Sequence, residues 1–80
     1  MALSPTPQDF NRRLGQIIAT ALQDAGIPQL TASDHTNIPL TTLKRRLRGS
    51  GFTTTELDRI ASLLDVTVTS LIAQAEEVAA

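Results

Sequence analysis

Eighty residues with no cysteine, tryptophan or tyrosine and a single histidine have room for one core, hence one domain. This composition excludes a disulfide framework, a thiolate nucleophile, any Cys-containing zinc site and any two-histidine metal motif. The net charge of −1 conceals a partition: residues 37–51 hold Lys44, Arg45, Arg46 and Arg48 with no acid, net +4, whereas residues 52–80 set Arg59 against Glu56, Asp58, Asp65, Glu76 and Glu77, net −4.

The N-terminal Met1-Ala2-Leu3-Ser4-Pro5 lacks the basic region and apolar stretch of a signal peptide, and no apolar run approaches the roughly 18 residues of a membrane span. The expectation is a soluble cytoplasmic chain with no membrane partner. Apolar residues at helical spacing then define the elements. Phe10, Leu14, Ile17 and Ala21 share one face of a first helix from about Pro7 to Ala25. Thr6 suits its cap, Pro7 its first position and Asp9 its positive end, and Gly26-Ile27-Pro28 stops it. Arg12 and Arg13 read as a solvated face of this helix. Gln29 to Thr36 is poor in helix formers but long enough for two turns, with Asn37 at the turn that follows. Pro39 opens a third helix that continues to Arg48 and ends at Gly49. Its inner face is Leu40, Leu43 and Leu47, and its outer face is Thr41, Lys44, Arg45 and Arg48.

Thr53-Thr-Thr-Glu56 is a capping box, followed by Leu57, Ile60, Ala61 and Leu64 at helical spacing. Asp65-Val66-Thr67 interrupts the pattern, and Thr67 caps a last helix carrying Val68, Leu71, Ile72 and Ala75. Residues 76–80 have little to bury and are expected to fray. Phe10 and Phe52 read as core residues and His35 as a polar helix end. The reading is all-α: a compact five-helix domain spanning residues 1–80 without strand or repeat.

Two short helices joined by a tight turn, the second basic, have the form of a helix-turn-helix. A helix about 10–12 Å across fits the roughly 12 Å major groove of B-DNA, while its predecessor braces it over the phosphates. Thr36-Asn-Ile-Pro-Leu-Thr-Thr-Leu-Lys-Arg-Arg-Leu-Arg-Gly49, with Glu56-Leu-Asp-Arg-Ile-Ala-Ser-Leu-Leu-Asp-Val-Thr-Val-Thr-Ser-Leu71 behind it, resembles the lambda-repressor-like family of DNA-binding domains. That family includes phage repressors and Cro proteins, and the wording Ile38-Pro39-x-Thr-Thr-Leu-x-Arg-Arg-Leu47 looks most like members from actinobacteria and their phages. The resemblance implies a bracing helix at about 29–36 and a recognition helix at about 39–48. Gln29 then matches a residue that typically contacts phosphate, and Leu40, Thr41, Thr42, Lys44, Arg45 and Arg48 fall on the DNA side of the recognition helix.

Three positions depart from the family pattern. Asn37 replaces the usual turn glycine, Ser33 the small alanine where the two helices cross, and Arg46 a position more often apolar. Either Leu47 supplies the core contact there, or Arg46 lies along the rim with its stem buried.

Within this frame Arg45 suits bidentate readout of guanine O6 and N7. Lys44 and Arg48 suit phosphates, a solvated face being the alternative. Leu40 either meets thymine methyls or packs on the bracing helix. The function implied is sequence-specific binding of a double-stranded operator, a transcriptional regulator of repressor or Cro type, with no cofactor, metal or small-molecule ligand. Any homodimer would be weak or DNA-dependent. A helical protein-interaction module, antitoxin- or adaptor-like, using the basic face on an acidic protein is the rival. An enzyme is not expected, since the lone His has no nucleophile pattern beside it and no Gly-rich phosphate loop is present.

Overall fold

The computed structural model describes residues 7–77, in which five α-helices follow one another: α1 (Pro7–Asp24), α2 (Gln29–Thr36), α3 (Leu40–Arg45), α4 (Thr54–Leu64) and α5 (Val68–Glu76). No strand occurs among the described residues. The chain is therefore an all-α, five-helix unit, as its apolar spacing required. Thr6, expected to cap α1, lies outside the described residues, as do Val78, Ala79 and Ala80 of the expected frayed tail. Glu76, assigned to that tail, instead belongs to the last turn of α5.

Local chemistry sets the boundaries. α1 ends with Gly26 at φ 70°, its N–H bonded to the Gln23 carbonyl while Ile27 N–H reaches back to Leu22 O at 2.9 Å. This paired arrangement consumes carbonyls that the helix end would otherwise leave open. α4 stops the same way with Asp65 at φ 57° and Val66 N–H on Ala61 O. Asn37, at φ 59° and ψ 29°, takes the left-handed turn position assigned to it between α2 and α3. The capping box of α4 is formed, and Thr67 Oγ1 accepts from Ser70 N–H at the start of α5.

The expected basic helix, Leu40–Arg48, is present and ends at Gly49. Beyond Arg45 the backbone keeps helical dihedrals to Arg48 and kinks at Gly49, at φ 112°, which makes a turn of Arg46–Ser50. The turn lies directly on α1. A Cβ on Gly15 would stand 2.9 Å from Leu47 C and 3.0 Å from Arg46 O, and closer still to the Leu47 carbonyl oxygen. Only glycine permits this backbone-to-backbone approach.

That contact also corrects the inward face of α1. The fully buried stripe is Leu14, Ile18 and Leu22, and the expected Phe10, Ile17 and Ala21 lie half-buried on its flanks. The pairs Ile17-Ile18 and Ala21-Leu22 satisfy helical spacing in either rotation, and the seating of Gly15 against Leu47 selects one of them. These side chains meet Ala32, Ile38, Leu43, Leu47, Leu57, Ile60, Ala61, Leu71 and Ala75 in one core. Phe10 and Phe52 pack against its edge. Arg13 departs from the solvated-face expectation, because it is half-buried and one guanidinium nitrogen is sealed from solvent with no hydrogen-bond partner. Arg12 is exposed and stands 3.8 Å from Asp9.

Candidate nucleic-acid interface

α3 is anchored by Leu43, which is 0% exposed, and by Leu47 in the turn that follows. Helical periodicity then turns Thr41, Lys44, Arg45 and Arg48 outward, and all four are exposed. Leu40 and Thr42 are half-buried on the flanks. The turn beneath is held by hydroxyls. Ser33, buried where α2 and α3 meet, donates through Oγ to Ile38 O, and Thr36 Oγ1 donates to Ala32 O at 2.7 Å. A hydroxyl at position 33 is accommodated because the turn carbonyl satisfies it.

Gln29 is exposed as the first residue of α2. The residue before it, Pro28, offers no side-chain cap, and the first helical bond is Ala32 N–H to Pro28 O. The first-turn N–H groups of Gln29, Leu30 and Thr31 therefore have no intrahelical acceptor and form the positive end of the helix dipole. Gln29, Lys44 and Arg48, together with Ala19 and Leu47, line a surface groove of about 340 Å³. Three of the seven residues singled out from the sequence thus converge on one concavity built from α1, α2 and the end of the basic helix. Two cations beside an uncapped helix start form a place where an anion is electrostatically favoured. Leu40, Thr41, Thr42 and Arg45 are not among its lining residues.

Arg46 does not join this face. Its Nε donates to Glu56 Oε1 at 3.0 Å, and the two side chains are 23% and 16% exposed. The same Oε1 accepts Thr53 N–H at 2.9 Å, so one carboxylate oxygen closes the capping box and holds the end of the basic helix. Leu47 fills the core while Arg46 lies along the rim, so both structural alternatives hold together. Burial pushes the Glu56 carboxyl up, but the Thr53 N–H and the Arg46 guanidinium outweigh that effect and leave its pKa below the ordinary value.

Three features were not visible in the sequence. Arg59 donates to the Thr36 carbonyl at 3.2 Å, tying α4 to the end of α2. Gly15 seats the turn after α3 on α1, a role hinted at by a glycine inside a helical pattern. Leu30, beside Gln29, is 61% exposed and places an apolar side chain next to a groove residue. His35 is exposed in the last turn of α2. Among the described residues no helix is long and apolar enough to cross a membrane. No protein-family model matches the chain, and no curated protein matches it.

Proposed function

We propose that the chain is a sequence-specific double-stranded DNA-binding transcriptional regulator, of the repressor or Cro type found in the lambda-repressor-like family. The observation that carries this reading is the outward, acid-free face of α3, with Thr41, Lys44, Arg45 and Arg48 exposed beside the groove shared with Gln29. α3 lies in the major groove and α2 crosses the backbone. Lys44, Arg48, Gln29 and the first-turn N–H groups of α2 hold phosphates, which fix register without reading sequence. Arg45 reads guanine through its fork, the Thr41 hydroxyl adds a polar base contact, and Leu40 meets a thymine methyl. Regulation is steric: an occupied operator excludes polymerase. The protein acts in the cytoplasm, that of the host cell if it is phage-encoded, and needs no cofactor.

Selection of binding sites from random duplexes, followed by titration of the selected and scrambled sequences, tests the reading. The expected outcome is an enriched motif bound at least about 10³-fold more tightly than scrambled duplex at physiological salt. No binding to any duplex at low salt would remove the reading and leave the basic face to an acidic protein partner.

A further inference from the structure

We propose that Glu56 withholds Arg46 from DNA and uses it to position the C-terminal end of the recognition helix, so that this carboxylate limits sequence-independent binding. The inference rests on the DNA-binding reading above. Four of the seven basic residues lie between positions 44 and 48, and a duplex attracts all four alike. Arg46 differs from the other three in its surroundings. It is the half-buried member, and an acid, Glu56, reaches it from α4.

The geometry makes the restraint firm. Glu56 is fixed independently of Arg46, because its backbone N–H donates to Thr53 Oγ1 at 3.1 Å while its Oε1 accepts Thr53 N–H. A carboxylate already immobilised by its own helix start loses little further freedom on binding the guanidinium. Arg46 Nη1 also lies 3.5 Å from Ser50 Oγ, across the turn that ends at Gly51. The side chain therefore spans from the last turn of the basic segment to the first turn of α4. Its charge is neutralised locally, and it displaces no counterion when DNA arrives.

Loss of the carboxylate charge changes both properties. A neutral residue at position 56 leaves Arg46 free to swing to the nearest phosphate, adding about 0.9 to the magnitude of the log–log salt slope. That contact carries no sequence information, so random duplex gains more than the operator and discrimination falls.

The test is a double-mutant cycle read as salt slopes on random duplex, using the parent, Arg46→Gln, Glu56→Gln and the double variant. The amide introduced by Glu56→Gln retains an acceptor for Thr53 N–H, and circular dichroism of all four proteins establishes that the helices remain. The expected result has three parts: Arg46→Gln leaves the slope unchanged, Glu56→Gln steepens it by about 0.9, and the double variant returns it to the parent value. A slope reduced by about one in Arg46→Gln would make Arg46 a phosphate contact and overturn the proposal alone. Steepening that persists in the double variant would also overturn it, since the acid would then act through its own charge. If Glu56→Gln loses its helices, Glu56→Ala with the neutral cap Thr53→Asn replaces it and the same three slopes decide. A parent protein that binds no duplex overturns both this inference and the function on which it rests.

Discussion

Arg45 and Lys44 are neighbours in sequence and both exposed, yet they are expected to behave differently on substitution. Arg45→Ala should cost about 1–3 kcal/mol on the preferred duplex and relax selection at one base pair. Lys44→Ala and Arg48→Ala should weaken preferred and random duplexes alike, because a phosphate contact is blind to sequence. Competition binding on the two duplexes checks this, and equal losses for Arg45→Ala would move that residue to the backbone. Glu56 adds a pH signature. Its carboxyl has a pKa below the ordinary value in the folded chain, so its contribution is complete above the unfolded pKa and is lost as pH falls through the folded one. Thermal melts of the parent and Glu56→Gln should therefore converge as pH drops from about 6 to the acidic side of the usual glutamate value near 4.3. A constant difference over that range would mean that the pairing is not coupled to stability. This bond, and that of Arg59 to Thr36 O, join residues 10 and 23 positions apart. Neither partner carries a local pattern that names the other. The basic face itself was legible because it depends only on the spacing of Leu43 and Leu47 along one helix, while Leu40, expected on the inner face with them, stands half-buried on the flank.

The elements announced themselves wherever a cap had a chemical signature. Thr53-x-x-Glu56, Thr67, Gly26 and Asn37 each stand where the structure uses them. The rotation of α1 was not legible, since adjacent apolar pairs fit two faces and the choice is made by a contact with the Leu47 backbone. Gly15→Ala isolates that contact. Helix propensity alone favours alanine by about 1 kcal/mol, whereas overpacking costs typically about 1–3 kcal/mol. Because the obstructing atoms are the Leu47 and Arg46 backbone, which cannot rotate away, the overlap should win and the melting temperature should fall. An increase would show that α1 and the turn stand farther apart. Leu43→Ala tests the orientation of α3 itself. At 0% exposure its removal should cost about 2–5 kcal/mol, and a denaturant melt reads the loss directly. A domain of this size has roughly 4–12 kcal/mol in total, so the loss is a large share of it and the melting temperature should fall sharply.

At the scale of the molecule, two facts oppose a stable pair of copies. Leu71 and Ala75 of α5 are spent on the chain's own core, and residues 52–80 carry net charge −4. Among the described residues the exposed large apolar side chains are Leu30 and Val66, which stand on separate elements. Sedimentation should accordingly find a monomer at micromolar concentration, with pairing only on DNA that presents two half-sites about one turn apart. A dimer stable well below micromolar would place an interface on α5. The charge partition that discourages self-association also focuses the candidate interface, for the acidic half lies apart in sequence from the face of α3. With Arg46 held by Glu56 and Arg45 assigned to a base, two cations remain for phosphates: Lys44 and Arg48. Each contributes about 0.9 to the salt dependence, so the slope per bound domain should be about −1.8. Titration of duplex DNA across a series of salt concentrations is the most direct measurement. A linear log–log fall with a slope of about −1.8 per domain is the expected result, and duplex affinity that does not change with salt would contradict the DNA-binding account at its root.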